Sequence, residues 1–246
     1  MPAIPHLDHY DDFARALQNY QLSSEALQIL AQTPLTLMVG PTSVGRDTII
    51  SELVKTGAYY DIVTSTTRPP RVNNGLLEQD GVEYHFQTEA HMLEETRAGR
   101  LVGPAIIHEQ QVSGISIQEF QKALALKKIA ITDTDPVGAI DITQLKPDAL
   151  AIFVLPPSFT AWIDRISNRG APSKQELQRR LTGAIKEFTL ALEHDCFVFM
   201  INDELAEAVK EADALAHGTH QPQHERFGRE LAARLREETK AYLETL

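Results

Sequence analysis

Between a short apolar run, Leu35-Thr-Leu-Met-Val39, and a helical stretch carrying Ile49, Ile50, Leu53 and Val54, the chain places Gly40-Pro-Thr-Ser-Val-Gly45-Arg46-Asp47. No other feature restricts the fold so strongly. A strand that runs into Gly-x-x-x-x-Gly and then into a helix is the setting of a phosphate-binding loop. The glycines let backbone N–H groups converge on phosphate oxygens, and the helix N-terminus adds partial positive charge. Gly40, Thr42, Gly45, Arg46 and Thr48 are therefore the candidate phosphate contacts. The pattern then asks for Lys followed by Ser or Thr, where this chain has Arg46 and Asp47. Arg keeps the charge but carries a bulkier planar fork. Asp47 suits Mg2+, yet it adds negative charge where an anion is expected. The same stretch also suits an ordinary strand-turn-helix corner with no ligand.

Charge narrows the partners. With 34 acidic and 23 basic residues the net charge is -11, which argues against broad nucleic-acid binding, since phosphate backbones are held by Lys and Arg. Any anionic ligand must be held by local arginines. No apolar run approaches the roughly 20 residues that span a bilayer, so no membrane association is expected. The segment Met1–Asp12 lacks a basic stretch followed by an apolar one, and a cytoplasmic location is expected. The single Cys196 excludes an internal disulfide; within Cys196-Phe-Val-Phe-Met-Ile201 it reads as core packing.

Residues 1–33 read as an N-terminal helical extension, with one pattern over Tyr10–Tyr20 (Phe13, Leu17, Tyr20) and another over Ser24–Ala31 capped by Ser23 or Ser24. From Leu35, short apolar runs alternate with helical ones: Leu35–Val39, Tyr60–Thr64, Lys128–Thr132, Leu150–Leu155 and Phe197–Ile201. Runs this uniformly apolar are buried on both faces, which predicts an α/β fold built on a mostly parallel five-stranded sheet flanked by helices. Pro157-Ser158 opens a helix that carries Trp162, read as core, and stops at Gly170, while Ser173-Lys-Gln-Glu176 has the form of a capping box. Residues 217–246 read as a linker and a C-terminal helix whose stripe Phe227, Leu231, Leu235, Tyr242, Leu243 is expected to be covered. His217, His220 and His224 fall around Gly218 and Pro222, which favours a linker over a metal site.

Two consecutive motifs, Thr64-Ser-Thr-Thr-Arg-Pro-Pro-Arg71 and Asp80-Gly-Val-Glu-Tyr-His-Phe86, closely resemble the acceptor region of guanylate kinases. Thr132-Asp-Thr-Asp-Pro-Val-Gly-Ala139, Asp164-Arg-Ile-Ser-Asn-Arg-Gly170, Arg179-Arg-Leu181 and Ile201-Asn-Asp-Glu204 extend the resemblance over residues 34–216. It implies a P-loop nucleoside monophosphate kinase fold with an acceptor subdomain at about 65–111 and a lid at about 165–180. It also implies ATP and Mg2+ as cofactors, and GMP or another monophosphate as acceptor. By resemblance, Arg68, Arg71 and Tyr84 hold the acceptor phosphate, and Thr64 and Asp135 face the acceptor base. Arg46 and the lid arginines Arg165, Arg169 and Arg180 act on the transferring phosphoryl, Asn202 and Asp203 lie at the adenine side, and Asp47 and Asp133 lie at the metal.

The chain departs from the family elsewhere as well. Ser43 replaces a Gly, Gly103 stands where a guanine-reading Glu is expected, and Ser113 replaces a phenol. Three readings follow: a guanylate-kinase-like enzyme with impaired or altered activity; a kinase with a changed acceptor, since Asp47 has a precedent in a ribose-bisphosphate-forming kinase family; or a degenerate binding module that recognises a phosphate-bearing or protein partner. The terminal helices are candidates for a homodimer contact.

Overall fold

The computed structural model describes residues 6–73, 75–168, 170, 172–219 and 223–246. The elements run α1 (Tyr10–Gln18), α2 (Ser24–Gln32), β1 (Leu35–Val39), α3 (Arg46–Lys55), β2 (Tyr59–Asp61), β3 (Ser65–Thr66), β4 (Val72–Asn73), β5 (Leu76–Leu77), β6 (His85–Phe86), α4 (Glu89–Arg97) and β7 (Leu101–Ile107). They continue with β8 (Gln111–Ser116), α5 (Ile117–Leu126), β9 (Ile129–Asp133), α6 (Pro136–Leu145), β10 (Leu150–Leu155), α7 (Phe159–Asn168), α8 (Lys174–Glu193), β11 (Phe197–Ile201), α9 (Leu205–Ala216) and α10 (Gln223–Thr245). Two compact units result, one taking residues up to Pro34 and Tyr60–Ala130, the other Leu35–Tyr59 and Ile131–Leu246.

A five-stranded sheet runs in the order β11-β10-β1-β9-β2, and its strands β1, β10 and β11 lie wholly in the second unit. β10 pairs in parallel with both β1 and β11, and β1, β10 and most of β9 and β11 are buried as their composition required, whereas in β2 only Tyr59 is. Phe153 lies within 6.0 Å, centroid to centroid, of Phe188, Phe197 and Phe199, and burying a ring of this size contributes about 1.5–3 kcal/mol. Ser173 Oγ accepts from Glu176 N at 3.2 Å and so caps α8, while the Glu176 carboxylate turns to Arg179 and Arg180. α10 belongs to this unit. Its Leu231, Ala232 and Leu235 are buried, Gly228 lies so close to Phe199 that a Cβ would meet it at 2.4 Å, and Arg229 donates to the Leu192 carbonyl and Asp195.

Two expectations are corrected here. Phe227 is 56% exposed, so the covered stripe begins at Leu231. Cys196 is a half-buried free thiol in the turn before β11, because the strand proper starts only at Phe197.

The first unit holds a four-stranded sheet, β6-β3-β8-β7, and the hairpin β4-β5. The expected strand at Tyr60–Thr64 is shorter, Tyr59–Asp61, since Val63 N leaves the ladder and donates to Glu119. The N-terminal helices are part of this unit's core. Phe13 is fully buried among Leu7, Met92, Leu93, Leu101 and Val112, and the Tyr20 hydroxyl both donates to Leu101 O and accepts from Leu101 N. Ser23 caps α2 by accepting from Ala26 N. No described helix is long and apolar enough to cross a membrane. His220 and Pro222 of the expected linker, like the expected lid residue Arg169, lie outside the described residues.

Candidate functional site

The loop between β1 and α3 takes its shape from its glycines and from braces on its carbonyls. Gly40 has φ 135°, and a Cβ there would meet the Val154 carbonyl oxygen of β10 at 2.5 Å. Gly45 opens α3 at φ 94°, and a Cβ there would meet the Asn202 side-chain nitrogen at 2.4 Å. Trp162 Nε1 donates to Thr42 O at 2.8 Å, and Asn202 Nδ2 donates to Val44 O at 2.7 Å. Two carbonyls are thus pinned away from the loop's interior. Among the described residues the amides of Ser43, Val44 and Gly45 donate to nothing. They border a cavity of about 360 Å3 lined by Thr42 to Thr48 and Arg165. Ser43 has φ 65°, and its buried hydroxyl has no hydrogen-bond partner among the described residues. Converging amides, a helix N-terminus and a cationic rim form an anion cradle.

Arg46 leans away from the loop onto the end of β9. Its Nη1 donates to Thr134 O at 3.1 Å and lies 3.6 Å from Asp133 Oδ2. Loss of surrounding water, and next the Asp47 carboxylate, raise the Asp133 pKa against the pull of Arg46. Asp47 and Thr48 are exposed at the start of α3. Asp135 caps α6, its Oδ1 accepting from Gly138 N at 2.8 Å. Glu187 on α8 escaped the sequence reading. Burial raises its pKa, the Arg46 charge lowers it and Asp135 raises it, so a second carboxylate besides Asp133 senses this guanidinium. Its place beside the core residues Ala184 and Phe188 was the available signal.

Arg165 on α7 donates to Asn202 O at 2.8 Å and to Asp203 O at 3.2 Å, fixing it over the exposed Asp203 and at the cavity rim. Arg180 is drawn to Glu176 at 2.7 Å; Glu176 is also held by Arg179, and its carboxyl falls to about 2 under these two guanidinium hydrogen bonds.

In the other unit, β3 leads into Arg68, which is buried and bound through both terminal nitrogens to Glu78, at 2.5 and 3.0 Å. The guanidinium also lies over Tyr84, 4.6 Å from its centroid. Glu78 further accepts from Arg71 N at 2.8 Å, and its hydrogen bonds from Arg68 hold the carboxyl at about 2. Arg71 itself is exposed, and among the described residues its guanidinium has no ion-pair partner. The sequence reading missed Glu78; the signal was a carboxylate on a loop between two arginines and the Asp80-Gly81 turn. Thr64 O accepts from His85 N in this sheet. Ser113 Oγ meets Thr66 Oγ1 at 3.0 Å, and Gly103, at φ 59° beside a register shift in β7, faces open space.

These features agree with what known proteins resemble the chain. The guanylate kinase family profile matches residues 32–217. Guanylate kinase 1 of Arabidopsis thaliana is 33% identical over 76% of this chain, which spans about half of that protein, 49%. The guanylate kinase of Corynebacterium diphtheriae is 30% identical, covering 75% of this chain and 94% of its own. That of Synechococcus sp. is 34% identical over 74% and 82%. A crystal structure of guanylate kinase from Anaplasma phagocytophilum superposes with a TM-score of 0.55 at 16% identity, over 85% and 92% of the two chains, a likeness of fold alone.

Proposed function

The chain belongs to the guanylate kinase family, and on that premise we propose that it transfers the terminal phosphoryl of ATP to a nucleoside monophosphate, with GMP the expected acceptor, at a rate altered by Arg46 and Asp47. One observation carries this reading: a loop at a helix N-terminus whose unpartnered amides border a cavity while its carbonyls are tied back. Such a cradle takes polyphosphate oxygens. Phosphoryl transfer of this kind needs positioning and charge stabilisation, with no covalent intermediate. Arg165 at the rim, with Arg169 and Arg180, supplies positive charge for the transferring group. Arg71 and Tyr84 bind the acceptor phosphate, with Arg68 orienting the Tyr84 ring. Asp135 and Thr64 are left for the acceptor base, and Asp203 for the adenine side.

The Asp47 charge acts on Asp133, and two carboxylates with the Thr48 hydroxyl suit Mg2+, a hard cation that takes oxygen ligands. Held there by Asp47 and Asp133, such an ion would neutralise charge on the phosphates. A cytoplasmic setting accords with such nucleotide substrates.

The test is coupled ADP release over a panel of monophosphates, for the natural protein and an Arg46→Lys/Asp47→Ser variant. GMP should give the highest kcat/KM with the natural protein, and the variant should exceed it by about tenfold, equivalent to about 1.4 kcal/mol. No turnover by the natural protein with any monophosphate, beside GMP turnover by the variant, sinks the kinase reading. A second reading, a binding module for phosphate-bearing partners, is favoured by the neutralisation of Arg46 on Asp133 and Thr134. Calorimetry with a phosphoserine peptide would then show binding that Arg71→Ala abolishes.

A further inference from the structure

We propose that Trp162 is a positioning residue of the donor loop, and that the C-terminal helix α10, beyond the family match at residue 217, holds it in place through Phe159 and Tyr242. The inference rests on reading the loop as the donor phosphate site.

A trans peptide is planar, so its C=O and N–H point in opposite directions. Trp162 Nε1 holds the Thr42 carbonyl at 2.8 Å, and the Ser43 N–H of the same plane is thereby aimed the other way. Asn202 does the same for the plane shared by Val44 and Gly45. Two donors of the cradle are fixed before any ligand arrives, which spares the ordering cost on binding. Ser43, at φ 65°, needs such a brace more than a glycine would, because a non-Gly residue in that region is strained.

Trp162 is itself wedged. It is fully buried, its ring meets Phe188 edge-on at 5.8 Å and Phe159 at 6.2 Å, and Phe159 in turn meets Tyr242 of α10 at 5.3 Å. An unbroken set of ring contacts therefore runs from α10 to the indole that pins the loop.

Trp162 is the only tryptophan in the chain, so β-(3-benzothienyl)alanine incorporated in its place keeps the ring shape and replaces N–H by sulfur. Calorimetry would use inorganic tripolyphosphate as the probe of the cradle and GMP as the control. Loss of one neutral hydrogen bond predicts a tripolyphosphate Kd about 3- to 10-fold higher, with GMP binding unchanged. Trp162→Phe should act in the same direction, Tyr242→Ala more weakly, and Tyr242→Phe should retain the natural affinity. A merely structural role would lower thermal stability and leave the ratio of the two affinities unmoved, and that result overturns the inference. Failure of the natural protein to bind tripolyphosphate overturns it together with the donor-loop reading. Tripolyphosphate binding without ATP turnover counts against the kinase reading alone.

Discussion

In the loop from Gly40 to Gly45 the groups at the cavity are neutral amides, held by hydrogen bonds made to the carbonyls beside them. Around Arg68 the organising contact is ionic, a buried bidentate pair with Glu78 under an aromatic ring. Both regions are read as phosphate sites, yet they resist perturbation differently. Backbone dipoles carry no titratable charge and leave no ion stranded when one brace fails. A buried ion pair fixes geometry firmly, but removing either partner strands the other in a medium that solvates it poorly. Arg68 is neutralised by Glu78 and lies over Tyr84, whereas the exposed Arg71 has no ion-pair partner among the described residues.

The largest expected effect comes from breaking the ionic side. Glu78→Ala leaves Arg68 buried without its counter-ion and should destabilise the unit that holds it by about 3–5 kcal/mol, read from urea unfolding. A loss below about 1 kcal/mol would mean that Arg68 escapes to water and that the contrast is false.

Acid should attack the same place. The Glu78 carboxyl falls to about 2 in the folded chain, against an ordinary value of about 4.3. A depressed carboxyl contributes stability that is present above the unfolded value and lost as pH falls through the folded one. Unfolding free energy should therefore drop by about 3 kcal/mol between about pH 5 and pH 1. Glu78→Gln should flatten that slope; an unchanged slope assigns it to other carboxylates.

On the neutral side, Asn202→Ala removes the brace on Val44 and leaves a carbonyl unpaired, which should cost about 1–3 kcal/mol. The loss should be the same at pH 7 and pH 5, since neither partner titrates there. A pH-dependent loss would show that the loop too is held by charge. The smallest effect is expected outside both regions: Phe227→Ser, at a ring 56% exposed, should change stability by less than about 0.5 kcal/mol. A larger change in thermal unfolding would mean that the ring is covered after all.

The chain order alone indicated the two glycines of the loop, most of the apolar strands and the caps at Ser23 and Ser173. Each is encoded within a few residues, as a steric requirement, a burial pattern or a cap spacing, so neighbours in sequence suffice to read it. The four-stranded sheet was less legible, because β3 and β6 have two residues each and alternation cannot register in so short a run.

Which group meets which was decided only by packing. Arg46 reaches Thr134 across 88 positions, Trp162 reaches Thr42 across 120, and Asn202 reaches Val44 across 158. Those pairs are brought together by the strand order β11-β10-β1-β9-β2, which no local spacing records. The sequence by itself determined that a phosphate loop of unusual composition stands at the end of a buried strand. The tertiary structure decided that its carbonyls are tied back by an indole and an amide, and that its arginine rests on an acidic strand end, because hydrogen bonds and charges act through space and not along the chain.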